Sequence, residues 1–257
     1  DVIESATIGR LQNVYQQHFV PNDSILVVAG DVDHNQIIDT VSELVDSWNG
    51  NKTDIPSTST VDRGVHWIKQ DTSQVHICFA IDGPNISDSN SILEAVAISV
   101  FGGATSGRLF TQVRQRRSLC YSVSAQYAAS KERSLIRMHA GTTPERANET
   151  IQVCLEQLAE LRNGISADEL ARTIQRLKSR TVMRGESTTA RASALWGDQY
   201  ALGKTRSLQD RLEEIEGVTL ENVNNWLKYR DYGELTLVYI GPEDLNLDDK
   251  ILQLNTL

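Results

Sequence analysis

A helix, strand and glycine pattern occurs twice in this chain, once at each end, and the repeat constrains the fold more than any local propensity does. In the first copy, Ile8, Leu11 and Val14 fall at helical spacing ahead of Ser24-Ile25-Leu26-Val27-Val28-Ala29-Gly30-Asp31. In the second, Leu220, Val223 and Trp226 precede Glu234-Leu235-Thr236-Leu237-Val238-Tyr239-Ile240-Gly241, with one residue fewer in the connector. One helix matched to one strand is an easy coincidence; keeping the length between them and the closing glycine is not. The second copy closes a unit that opens near His66, whereas only the tail of the first unit is present. The repeat therefore predicts the end of one half-domain followed by the whole of another. The remainder of the first unit is expected upstream of Asp1, with a stand-alone extension as the alternative.

Periodicity and turn chemistry fill in the elements. A helix over 4–18 and the Pro21-Asn22-Asp23 turn lead into Ile25 to Ala29, which reads as a buried strand. Asp33 with Gln36 is a capping box that opens a helix to about Trp48. From 50 to 63 the sequence is polar, aperiodic and interrupted by Pro56. The organisation predicted is a truncated amino-terminal half-domain tail over 1–50, a linker over 51–65, a complete half-domain over 66–243 and a C-terminal tail over 244–257. Within the complete unit, strands are expected at 66–68 and 74–81, a turn at Asp82-Gly83-Pro84-Asn85, and helices over 89–101 and 107–117. A hairpin at 121–127 and 134–140 should turn Tyr121, Val123, Ala125 and Tyr127 inward. Thr143 before Pro144 starts a helix ending at Asn163-Gly164, and Ser166 with Glu169 is a further capping box. Helices over 166–184, 188–202, 207–216 and 219–229 precede the last strand, 235–240.

Composition narrows the class of partner. The 257 residues are 40% hydrophobic and 23% charged, ordinary for a globular protein. A net charge of −9 argues against a nucleic-acid surface, and the run Arg114, Arg116, Arg117 reads as a solvated helix face. No stretch suits a membrane span. Cys78, Cys120 and Cys154, odd in number and set among apolar residues, read as buried reduced thiols, which favours a soluble protein of a reducing compartment such as the cytoplasm.

The passage Phe101-Gly102-Gly103-Ala104-Thr105-Ser106-Gly107-Arg108-Leu109-Phe110-Thr111-Gln112-Val113-Arg114 continues through Gln115-Arg116-Arg117-Ser118-Leu119-Cys120 to Tyr121-Ser122-Val123. It resembles the signature of the carboxy-terminal, inactive half-domain of pitrilysin/insulinase zinc metallopeptidases: a Gly-Gly pair, Ser-x-Arg-Leu-Phe, Val-Arg, then Tyr-Ser-Val after six residues. Asn22 to Val32 resembles the end of that family's amino-terminal half-domain. The chain departs from the pattern at Cys120, Ser118 and Ala104-Thr105. The resemblance implies an α+β fold with a mixed, largely antiparallel sheet packed by helices. It also implies that metal and general base belong to the other half, in an H-x-x-E-H motif. The five histidines, His18, His34, His66, His76 and His139, contain no such pair.

By the same resemblance, Arg114 and Tyr121 are the substrate-binding residues, reaching a peptide held in the opposite half. Zinc would be a cofactor of the intact protein or its partner, with none bound by this chain, which carries no catalytic residue of its own. The function implied is the substrate-binding, non-catalytic half of a zinc-dependent endopeptidase or processing protease. The alternatives are an inactive partner or structural subunit of a two-subunit peptidase or respiratory complex, and a stand-alone peptide-binding module. Partners expected are a peptide substrate, the amino-terminal half-domain or an active subunit, and a second copy in a homodimer. Elsewhere, Trp196 and Tyr200 read as core packing, and Gly185 to Thr189 as an interhelical hinge.

Overall fold

The computed structural model describes residues 3–51 and 62–247. Its strands are β1 (Gly64–Lys69), β2 (Val75–Gly83), β3 (Cys120–Ala128), β4 (Ser134–Thr142) and β5 (Thr236–Gly241). They form one sheet in the order β1-β5-β2-β4-β3. Only β1 and β5 run parallel; the other three pairings are antiparallel. The protein is thus α+β with a mixed, largely antiparallel sheet. Gly64 and Val65, within the segment read as linker, already belong to β1, and residues 52–61 of that segment lie outside the described residues.

Strand alternation divides the sheet into two unlike faces. Val75, Ile77, Phe79 and Ile81 of β2 are buried, as are Ile136, Met138 and Ala140 of β4 and Leu237 and Tyr239 of β5. Helices α3 (Ser91–Gly102) and α4 (Ala147–Glu160) cover this side. Apolar on almost every side, α3 is a core helix rather than an amphipathic one. The opposite face shows His76, Cys78, Arg137 and His139 to solvent. Cys78 is therefore exposed, not buried: it lies out of phase with its apolar neighbours Ile77 and Phe79.

The remaining helices are α5 (Ala167–Gly185), α6 (Thr188–Leu202), α7 (Leu208–Glu216) and α8 (Leu220–Tyr229). Their starts follow side-chain chemistry. Ser166 and Glu169 exchange both bonds of a capping box, and Ser187 caps α6 at the break between α5 and α6. Thr143 is extended before a 3₁₀ turn at Pro144–Arg146, and α4 follows. Asp82 and Gly83 belong to β2, so the turn expected from residue 82 falls later, where Asp88 N donates to Asn85 O. Trp196 and Tyr200 stack at 5.4 Å but remain about half exposed, correcting the expectation that they are core.

The first fifty residues behave differently. Helices α1 (Ile8–His18) and α2 (His34–Val45) form with side-chain caps from Thr7 and Asp33, and neither buries a residue. Ile25 to Ala29 is neither strand nor buried; Leu26 is 66% exposed. A strand requires a neighbour to satisfy its backbone groups, and no strand lies among residues 3–51. Leu26, Val28 and Val32 instead line an open apolar groove with Ile37, Ile38 and Val41 of α2. No helix among the described residues is long and apolar enough to cross a membrane.

Candidate functional site

Most of the passage from Phe101 to Val123 is accounted for by packing. A Cβ on Gly102 would stand 2.4 Å from the Ala125 backbone nitrogen, so glycine is what lets α3 lie against β3. Leu109 and Val113 are fully buried. Arg108 forks onto Glu169 at 2.7 and 2.9 Å and donates to Gly164 O at 2.8 Å, tying the passage to the start of α5. That hydrogen bond, against some desolvation, pulls the Glu169 carboxyl down to about 2.

Beyond Arg108 the backbone departs from the expected α-helix. Phe110–Arg116 is a π-helix, a rare wide turn that commonly marks functional positions. Ser118 then takes a left-handed φ of 53°, a conformation that costs an L-residue about 1–2 kcal/mol. The reversal is held from three sides. Arg146 donates to Ser118 O at 2.7 Å, and the hydroxyls of Thr142 and Thr150 both donate to Leu119 O.

Strand β3 opens with a β-bulge: Cys120 pairs with Thr142 and Ser122 with Gly141, leaving Tyr121 without a partner. The extra residue shifts the side-chain phase. Cys120 turns inward and Tyr121 turns out, 59% exposed, while Val123, Ala125 and Tyr127 keep the packed side. Tyr121 is therefore not part of the inward set expected from simple alternation. Arg114 is also exposed, and its guanidinium sits 5.0 Å from the Phe110 ring centroid. Its side chain makes no ion pair or hydrogen bond among the described residues. The π-helix and the bulge thus display Arg114 and Tyr121 at one end of β3, the two large side chains of the signature that stand exposed.

The nearby Cys120 thiol is buried. Burial pushes Cys120 up to about 11 despite Arg114, and burial raises Cys154 further. On the open sheet face, His76 and His139 stack at 5.7 Å, a proximity their sequence separation does not suggest. Burial, then His76, holds the His139 imidazole below its ordinary value. Among the described residues, no three His, Cys, Asp or Glu side chains converge where a metal ion could be held.

One buried cluster escaped sequence reasoning. Glu94, the lone carboxylate of α3, is fully buried and accepts from Trp226 Nε1 at 2.6 Å and Arg230 Nε at 3.2 Å. Burial raises its pKa against the pull of Arg230, and it stitches α3 to α8. A single acid in an otherwise apolar helix was the available signal.

Comparison with known proteins converges on one family. Residues 5–177 match the family described as the peptidase M16 inactive domain. An uncharacterised zinc protease of Streptomyces coelicolor is 26% identical, over 87% of this chain and 51% of its own length. The uncharacterised zinc protease YmxG of Bacillus subtilis is 25% identical, over 90% of this chain and 57% of its own. The chain thus spans about half the length of these curated relatives. A peptidase M16 inactive domain from Pseudomonas fluorescens has a similar fold, with a TM-score of 0.78 and 18% identity over 94% of this chain and 59% of that one. A chain of complex III from Candida albicans reaches 0.83 at 19% identity, over 98% of this chain and 63% of that one.

Proposed function

Since the chain belongs to the peptidase M16 inactive-domain family, we propose that it is the substrate-binding, non-catalytic half of a zinc-dependent endopeptidase, with Arg114 and Tyr121 as its peptide contacts. The observation that carries this reading is the display of those two side chains. Around them, Gly102, Leu109, Val113 and Arg108 are engaged in the fold, whereas Arg114 and Tyr121 face solvent. A guanidinium offers fixed planar donors to a peptide carbonyl, and a phenol can donate to an oxyanion as charge develops. Ser118, Arg146, Thr142 and Thr150 hold the connector, so that binding need not first order it.

In this reading residues 1–50 are the tail of an amino-terminal half-domain, 51–65 a linker and 66–243 the complete inactive half. Zinc would belong to that other half or to an active partner subunit, where it would supply Lewis-acid polarisation of the peptide carbonyl and activation of water. The described residues of this chain do not fit a zinc site: none of its histidines lies in an H-x-x-E-H motif, and no three metal-binding side chains converge.

The test uses the whole native polypeptide, assayed for zinc content and for cleavage of a fluorogenic peptide library. Arg114→Ala and Tyr121→Phe should each lower kcat/KM, the tyrosine change by about 10²–10³-fold if its hydroxyl serves an oxyanion. Unchanged kinetics in both variants would remove the assigned contacts. A second reading, an inactive partner or structural subunit, is supported by the fold similarity to the complex III chain. A native protein without zinc or cleavage activity, isolated in a stable assembly, would favour it.

A further inference from the structure

Helix α5 carries Arg172, Arg176, Arg180 and Arg184, each four residues after the last, so the four form one slowly turning stripe. Six arginines elsewhere in this protein are paired with a carboxylate. Arg63 and Arg133 meet Asp82, Arg108 meets Glu169, Arg206 and Arg211 meet Asp198, and Arg230 meets Glu94. Lys178, on the same helix, reaches Glu216 of α7. None of the four stripe arginines has a carboxylate partner among the described residues, although the chain has 34 acidic residues to 25 basic ones.

Like charges four apart on a helix oppose it, and Arg172, Arg176, Arg180 and Arg184 make three such pairs in succession. Arg176 feels this: it is half-buried, donates to Ser99 O at 2.8 Å and Oγ at 2.6 Å, and is driven below its ordinary pKa by burial and then by Arg180. Toward the carboxy-terminal end of the stripe and on the same face, Met183 is exposed.

We propose that this stripe is a docking surface for an acidic helical segment of a protein partner, whose carboxylates at four-residue spacing pair with the arginines while an apolar side chain covers Met183. The surface favours a short segment over an extended polyanion. From Arg172 to Arg184 is about 18 Å at helical rise, and beyond it a chain of net charge −9 repels a phosphate backbone or anionic bilayer. An apolar flank also has no counterpart on a phosphate backbone.

The probe is a fluorescein-labelled 20-residue helical peptide with glutamate at every fourth position and leucine between, titrated with the 257-residue chain in 50 and 200 mM NaCl. Affinity should fall at least tenfold in R172Q/R180Q/R184Q and on raising the salt. Arg176 is left in place because it holds Ser99, and thermal melting of the variant checks its fold. R116Q/R191Q/K204Q, which removes as much charge elsewhere, should stay within twofold of wild type. No binding by the wild-type chain, or equal loss in the two triple variants, would overturn the proposal. So would tighter arginine-dependent binding to single-stranded DNA or to phosphatidylserine vesicles.

Discussion

Helices α1 and α8 carry the same apolar pattern and begin at the same kind of cap. Thr7 Oγ1 accepts from Arg10 N at 3.3 Å, and Thr219 Oγ1 from Asn222 N at 3.2 Å. Their fates then diverge. Val223 and Leu227 of α8 are fully buried against the core, whereas no residue of α1 is buried. After α8, β5 pairs with strands on both sides; after α1, Ile25 to Ala29 pairs with none. A cap and a periodic stripe are local facts, so both copies make their helix. Burial and strand formation belong to a pair of surfaces, and only the second copy meets its counterpart among the described residues.

The largest effect should come from cutting the second copy where it is buried. Leu227→Ala should lower the unfolding free energy by about 2–5 kcal/mol in urea melts, through lost transfer and a residual cavity. The same truncation in the first copy, Leu11→Ala, should stay within about 0.5 kcal/mol. Equal losses at the two positions would abolish the contrast.

Next in size is Gly102→Ala, where the new Cβ must displace the β3 backbone; about 1–3 kcal/mol of destabilisation is expected from overpacking. If α3 can move aside without loss, the close approach beneath Arg114 and Tyr121 is not enforced by that glycine. A pH titration sharpens the comparison further. Glu169 is depressed to about 2 in the folded state, so its contribution is present above its ordinary value near 4.5 and is lost as pH falls from there toward 2. Acid melts of the wild type should show this loss, and Arg108→Met should flatten that window while lowering stability above it. Smallest is Leu44→Glu, in α2 on the uncovered segment: melting temperature should hardly change, while binding of a hydrophobic dye should drop.

What the sequence determined by itself was local or periodic. The Ser166 and Glu169 box, the α5–α6 break at Ser187, the hairpin of β3 and β4 and the closing helix and strand follow from cap chemistry and repeat period, which need no distant partner. The signature named Arg114 and Tyr121, but it could not say how they are shown. Simple alternation put Tyr121 inward, and a bulge that depends on how Thr142 and Gly141 of β4 are matched turned it out. The reversal after the π-helix is held by Arg146 on a left-handed Ser118 and by Thr142 on its neighbour Leu119, contacts that span 28 and 23 residues of sequence. The same distinction explains the first copy. Ile25 to Ala29 has the composition of a buried strand, yet a strand is made by hydrogen bonds to a neighbour, and that decision lies in the tertiary structure.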